Sequence, residues 1–438
     1  MRRSYKITTT ITFLAAFLAI GFTACNPSTS TKEPEEIPQE ELYERVDDSD
    51  FENMSALQFT KIMGNGINLG NTMEAAASWL GFNHSDVTDY ETAWGQPKTT
   101  KAMFQAMKAA GFDSVRIPVA WTHTMDWSHG NFTIRNTYIE HVGDVVNWAL
   151  DSGLIVMIND HWDYQWWGMF SHDEELAWQI YEAIWGQVGG YFKDYPLTLI
   201  FEGGNEEIGE RLNDEVNSSI DSRLDSSINY GKGSLTEDQC YALGNKINQK
   251  FVDLIRAQGG NNEKRFLLIP GYNTGFEPTC DSRYKMPADS TNEIQKLIVS
   301  VHYYSPATYA IVSDPENSWG YMDSWPGTDP TFNTVEKQNS YFEMMKVFTQ
   351  KGYGVIIGEY GAAPRQDGSK KGGMEEWMTN ILDNCDKYNY CPFLWDCNTF
   401  FKKNGGTNDA PGGFTDSEIA AVYSGRNYEA ERTSSGVQ

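Results

Sequence analysis

Positive charge is scarce in this 438-residue chain: 34 lysines and arginines stand against 60 aspartates and glutamates, for a formal net charge of −26. Beyond the first few residues the basic side chains form no cluster, which leaves no footprint for a phosphate backbone and argues against nucleic acid as a partner. Histidine is also rare, seven in all, and the histidines do not gather with aspartates at the spacings that hold a catalytic metal. Of the six cysteines, Cys385, Cys391 and Cys397 are close in sequence but form no CxxC pair, so neither a metal nor any other cofactor is expected. No G-x-S-x-G elbow is present, which weakens a serine hydrolase. The one early glycine cluster, Gly64-Asn65-Gly66, lacks the third glycine of a dinucleotide fingerprint, which weakens a doubly wound open sheet.

The apolar stretch Ile11–Phe22 is too short to span a bilayer. It follows the basic residues Arg2, Arg3 and Lys6 and ends in Phe22-Thr23-Ala24-Cys25, which resembles a bacterial lipobox with Phe or Thr where leucine is usual. The expectation is a signal peptide over residues 1–24 and lipidation of Cys25 as the mature N-terminus. Residues 25–52, polar and then acidic, read as a disordered tether, and residues 53–438 as one folded domain. The acidic run after Cys25 resembles lipoproteins displayed on the outer surface of Gram-negative cells, so the expected location is the cell envelope, on the outer-membrane surface. With Cys25 modified, five cysteines remain, an odd number, read as buried or free thiols with at most one disulfide.

From residue 63 onward, short runs rich in Val, Ile and Leu alternate with amphipathic segments. The runs are Met63–Leu69, Ser114–Pro118, Leu154–Asn159, Leu197–Phe201, Arg265–Pro270, Leu297–His302, Gly354–Gly358 and Pro392–Asp396. They show little polar alternation, as parallel strands buried on both faces require. Between them, Thr99–Ala110 aligns Met103, Met107 and Ala110 on one stripe with Gly111 as a stop, and Tyr138–Leu150 aligns Ile139, Val142, Val146 and Ala149. Further helices are expected over Asp173–Phe192, Thr236–Arg256, Asn333–Gln350, Met374–Tyr388 and Asp416–Tyr423, with a short, weakly helical crossover over Asp281–Gln295. Eight strand–helix repeats predict an α/β fold of the (β/α)8 TIM barrel class. Its C-terminal face would carry the polar insertion 208–236 and the aromatic stretch Trp162-Asp163-Tyr164-Gln165-Trp166-Trp167.

Polar residues at the strand ends are then the ones to question. In order they are Arg116, His161, Asn205-Glu206, His302 with Tyr304, Glu359 and Trp395. Glu206 and Glu359 follow the fourth and seventh runs, where their carboxyl groups can converge. A pair of carboxyl groups about 5–5.5 Å apart is what retaining glycoside hydrolysis needs.

The chain here resembles glycoside hydrolase family five, over roughly residues 55–425. The resemblance rests on Asn68-Leu69-Gly70-Asn71-Thr72, Thr92-Ala93-Trp94-Gly95, Val115-Arg116-Ile117-Pro118-Val119, Phe201-Glu202-Gly203-Gly204-Asn205-Glu206, Val301-His302-Tyr303-Tyr304, Gly358-Glu359-Tyr360-Gly361 and Trp395-Asp396. The first two pieces look most like endo-β-glucanases and xyloglucanases. The resemblance implies a retaining endo-β-1,4-glucanase acting on cellulose-like, mixed-linkage or xyloglucan polysaccharide, and a monomer is expected. The alternatives are a β-mannanase or xylanase on the same fold, and, in another class, a non-catalytic surface glycan-binding lipoprotein, which the intact glutamate pair disfavours. Glu206 would be the acid/base, its pKa raised by burial and by Glu359, and Glu359 the nucleophile, kept ionised by Arg116 and hydrogen-bonded by Tyr304. Asn205 would bond the sugar 2-hydroxyl, His161 and His302 would orient hydroxyls and the acid/base, and Trp395 would stack on a sugar ring. Trp162, Trp166, Trp167, Trp79 and Trp319 are candidates for outer subsites. Two departures stand out: Glu207 where the family usually has proline, which puts a negative neighbour beside Glu206, and His161-Trp162 where it often has two histidines.

Overall fold

The computed structural model describes residues 43–216 without 76, 78, 128–129 and 164–165, residues 231–404 without 330 and 332, and residues 411–424 and 426. The signal peptide, Cys25 and the tether up to residue 42 lie outside the described residues, as do Tyr164, Gln165 and positions 217–230 of the polar insertion.

Eight parallel strands close into a barrel: β1 (Gly66–Asn68), β2 (Ser114–Ile117), β3 (Ile155–Ile158), β4 (Leu199–Glu202), β5 (Leu267–Pro270), β6 (Leu297–Tyr303), β7 (Gly354–Tyr360) and β8 (Cys391–Leu394). Each overlaps one of the eight apolar runs. Neighbours in sequence are neighbours in space, and β1 closes the ring by pairing with β8 at Gly66–Phe393. Alternation along the strands divides the apolar side chains between two cores. Ile155, Met157, Ile200, Leu268, Ile298, Ile356 and Phe393 belong to one, while Val156, Ile158, Leu199, Phe201, Leu267, Val299 and Ile357 join the larger one that includes the outer helices.

The outer helices fall where periodicity places them: Lys101–Ala109, Asn136–Leu150, Glu174–Tyr191, Glu237–Ala257, Met374–Tyr388 and Ser417–Ser424. The expected helix Asn333–Gln350 is two segments, Val335–Met344 and Lys346–Thr349, meeting at the buried Met345. The fifth crossover is not helical over 281–295. That stretch hangs instead on the helix Glu237–Ala257. Asn245 bonds the Arg283 carbonyl and the Lys285 amide, and Gln249 bonds both backbone groups of Ala288. Side chains thereby satisfy backbone groups that a helix would otherwise pair internally.

The barrel floor is built from the N-terminal side. The helix Ala56–Ile62 starts with a capping box between Ser55 and Gln58, and Phe59 stacks on Phe266 with ring centroids 3.9 Å apart. The buried Lys296 ammonium donates to the carbonyls of Phe51, Glu52 and Met54. Arg45 pairs with Asp151, and Asp48 accepts from the Leu197 amide. Residues 45–52, expected to belong to the tether, therefore already contribute contacts to the folded unit. The apolar anchor Phe51 was hidden in a polar, acidic context.

Candidate active site

The C-terminal ends of β1, β4 and β7 converge on one buried cation of β2. Arg116 of β2 donates from Nε to Glu202 (2.8 Å), from Nη1 to Asn68 (3.0 Å) and Glu359 (2.8 Å), and from Nη2 to Asn205 (2.9 Å). Two carboxylates and two amide oxygens thus face a guanidinium that is wholly buried. Such a charge is tolerable inside a protein only when paired on this scale, and its proton is held more tightly than usual.

Arg116 also decides how Asn205 is presented. A guanidinium can only donate, so Asn205 must turn its Oδ1 toward it. The buried Asn205 Nδ2 then has no hydrogen-bond partner among the described residues and is free to donate into the cleft. The same reasoning fixes His161. Asn159 accepts the Val119 amide through Oδ1 and donates through Nδ2 to Glu202 (3.0 Å) and to His161 Nδ1 (3.3 Å). His161 Nδ1 is then the acceptor and Nε2 carries the hydrogen, an assignment by network. Burial, then the charges of Arg116 and His302, push the His161 pKa well down, so the ring is neutral. It lies parallel to Trp395, centroids 5.8 Å apart.

Glu359, near the end of β7, also accepts from the Tyr304 hydroxyl at 2.9 Å. His302 Nδ1 sits 2.9 Å from Glu206 Oε1 and 3.6 Å from Glu359 Oε2. Oxygen atoms of Glu206 and Glu359 and a ring nitrogen of His302 all fall within 4.8 Å of one another. The close approach of His302 requires Gly358: a Cβ there would stand 3.0 Å from Nε2 and 2.8 Å from Ser300 Oγ.

The charge balance departs from the expectation that burial and Glu359 would raise the pKa of Glu206. Burial does act in that direction, but His302, Arg211 and Arg116 outweigh it and hold Glu206 below its ordinary value. Glu359 is the raised one, because its burial is only partly offset by His302 and Arg116. For His302, burial disfavours the charged ring, yet Glu359 and Glu206 prevail and raise its pKa.

The cleft above these groups has a volume of ≈ 710 Å³ and is lined, among others, by Trp94, His161, Trp162, Asn205, Glu206, Tyr304, Glu359 and Trp395. The predicted set Arg116, His161, Asn205, Glu206, His302, Tyr304, Glu359 and Trp395 is therefore brought together. Of the proposed outer aromatics, Trp166 and Trp167 are not available. They are fully buried and stacked on one another at 4.6 Å, and the nearby Asp163 is itself buried, accepting the Trp121 and Thr122 amides. Trp162 lines the cleft, whereas Trp79 and Trp319 are exposed and outside its lining. Sequence reasoning missed Glu202, Asn159 and Arg211. The first two sit at strand ends among apolar residues and were legible as buried polar groups. Arg211 lies in the insertion after β4, and nothing local marked it.

The family model for cellulase (glycosyl hydrolase family 5) matches residues 73–400. The xyloglucan-specific endo-β-1,4-glucanase of Bacteroides ovatus is 29% identical over 405 residues, spanning 89% of this chain and 74% of that protein. Endoglucanase A of Paenibacillus barcinonensis is 30% identical over 365 residues, 80% of this chain and 84% of that one. Among solved structures, the Bacteroides ovatus family 5 xyloglucanase with a XXXG heptasaccharide superposes with a TM-score of 0.69 at 28% identity, covering 87% of this chain and 79% of that chain. A family 5 lichenase from Caldicellulosiruptor sp. F32 with cellotetraose gives 0.68 at 29%, covering 85% and 96%.

Proposed function

Starting from the fact that this chain belongs to glycosyl hydrolase family 5, the cellulase family, we propose a double-displacement mechanism for it, carried by Glu206 and Glu359. The protein is a glycoside hydrolase of the endo-β-1,4-glucanase type. The observation that carries the mechanistic reading is the approach of the two carboxyl groups across His302, within 4.8 Å, the short separation of a retaining pair.

Glu359, held by Arg116 and Tyr304, attacks the anomeric carbon. The bond to the leaving oxygen breaks as Glu206 delivers a proton to it. Water then gives a proton to Glu206 and attacks the same carbon, and the bond to Glu359 breaks. Asn205 donates through Nδ2 to the 2-hydroxyl, a contact that strengthens as the anomeric centre becomes positive. His161 donates through Nε2 to a hydroxyl nearby, and Trp395 supplies the apolar face for the sugar ring.

Xyloglucan leads among substrates, because the relatives named for it span most of this chain; mixed-linkage and cellulose-like glucans follow. Reducing ends released from purified xyloglucan, lichenan, cellulose, mannan and xylan rank these directly, and release from mannan or xylan alone would overturn the glucan reading. Roles are tested with Glu206→Gln and Glu359→Gln on an aryl β-glucoside oligomer. The Glu359 variant should be inactive, and the Glu206 variant should give a burst, then turn over when azide is added, forming a β-glycosyl azide. General acid/base help is worth about 10²–10⁴ in rate, so the contrast is measurable. An α-azide from the Glu359 variant, with no rescue of the other, would reverse the roles. Cys25 serves as the lipid anchor in this reading and places a monomeric enzyme on the outer face of the cell envelope. Its support is the basic, apolar, Ala-Cys order of residues 2–25.

A further inference from the structure

Both oxygens of Glu206 are occupied. Oε1 faces His302 Nδ1 at 2.9 Å and Oε2 accepts from Arg211 Nη1 at 3.2 Å. That is the arrangement of a carboxylate, the base form, whereas a general acid needs one oxygen free to carry a proton toward the leaving group. Arg211 is set in place from three sides. Its Nε donates to Asp214 at 3.0 Å, and its guanidinium lies over the Trp162 ring at 4.6 Å. Asn273 clasps the turn that returns it to the site: Nδ2 donates to the Glu206 carbonyl, Oδ1 accepts the Glu210 amide, and the Asn273 amide donates to the Ile208 carbonyl. Gly209 fits against this clasp only because it has no Cβ, which would stand 2.4 Å from Asn273 Oδ1.

Arg211 and Trp162 are both partly exposed, with side-chain exposure of 24% for Arg211 and residue exposure of 39% for Trp162, and Trp162 and Glu206 line the cleft. Trp162 also holds a left-handed backbone, φ 50°, which is costly for a bulky residue. A saccharide that packs on Trp162 or approaches Glu206 Oε2 therefore competes with Arg211 for the same place.

We infer that Arg211 is a positioning residue that keeps Glu206 in its base form in the free enzyme, and that an incoming glucan displaces it so that Glu206 can take up a proton from solvent and act as the acid. The inference rests on the assignment of Glu206 as the acid/base. In balance, Glu206 gains one proton from solvent before the first step, gives it to the leaving oxygen, regains one from the attacking water, and loses it to solvent when Arg211 returns.

The test is the difference between two pH profiles. The limb of kcat/KM set by the Glu206 proton reports the free enzyme, where Arg211 sits on Glu206; the same limb of kcat reports the substrate complex. The other groups that bear on Glu206 are His302 of β6 and Tyr304 just beyond it, Glu359 of β7, Arg116 of β2, and Glu207 in its own loop; all are common to wild type and variant. In wild type the kcat/KM limb should lie below the kcat limb. In Arg211→Met a cation is removed from a carboxylate, so Glu206 holds its proton to higher pH. The Glu206 limb of kcat/KM should move up by about 1 pH unit and close the gap, with the limb set by Glu359 unmoved, and Arg211→Lys should restore most of the gap. Even loss of activity at every pH with the gap intact would overturn the inference, as would the absence of a gap in wild type, which needs no variant that must fold. Azide rescue of Glu206→Gln is run alongside. Without rescue, the acid/base assignment fails and takes the inference with it; with rescue but no gap, the inference alone fails.

Discussion

At the scale of single residues, the site is governed by which charges are buried together. Arg116 joins Glu202, Glu359, Asn68 and Asn205, so it sets the floor on which the chemistry stands. Glu207, next to Glu206, is buried at 4% exposure, and that burial pushes its pKa up to about 7, with the Glu206 charge adding in the same direction against Arg211. A carboxyl group with a raised folded-state pKa binds more protons folded than unfolded. Its contribution to stability is therefore full below about 4.5 and lost as pH rises through about 7. Glu207→Gln removes the ionisation while keeping the shape. It should raise the melting temperature at pH 8 more than at pH 4.5, by a stability difference of up to about 3 kcal/mol. An equal offset at both pH values, measured by thermal melts, would show that Glu207 is not held against its charge.

At the scale of elements, one cleft wall is tied together by a hairpin beyond β8. Phe401–Asn404 pairs with Pro411–Phe414, and Lys403 reaches from it to the β1 loop. Its buried ammonium donates to the Gly70 carbonyl (2.6 Å), Thr72 Oγ1 (2.7 Å) and Gln96 Oε1 (2.8 Å). Glu74 accepts the Asn71 and Thr72 amides in the same loop, and Asp396 accepts the amides of residues 398–401. Asn71, Glu74, Trp395 and Asp396 all line the cleft. Lys403→Met leaves these buried acceptors and the Glu74 charge uncompensated, a loss of about 3–5 kcal/mol. It should also raise KM more than it lowers kcat, since it moves a wall that binds sugar and leaves Glu206 and Glu359 in place. Melting temperature together with KM and kcat on a soluble glucan checks this; an unchanged KM would mean the hairpin does not shape the binding cleft.

At the scale of the whole molecule, the barrel floor and the catalytic face lie at opposite ends of the strands. The chain from Arg45 to Ile62 packs at the floor. Anchoring at Cys25 is tested on the full chain. The expected outcome is that the wild-type protein fractionates with membranes and Cys25→Ser is released in soluble, fully active form. Retention of Cys25→Ser in the membrane fraction would remove the anchor, and loss of specific activity would show that the N-terminus does more than tether.

The order of local patterns was enough to determine the barrel, its eight strands and the convergence of Arg116, His161, Asn205, Glu206, His302, Tyr304, Glu359 and Trp395. A residue at the C-terminal end of a parallel strand can point only to one face of the closed ring. Periodicity could not tell Trp162, which lines the cleft, from Trp166 and Trp167, which are buried, because loop direction is set by contacts far away in sequence. Nor could it assign the charge balance. The lowered pKa of Glu206 depends on His302, 96 residues on, and on an arginine five residues away that a turn clasped by Asn273 brings back onto it. Electrostatics falls off over a few ångströms, so it is decided by the tertiary placement of groups whose positions along the chain carry no sign of it.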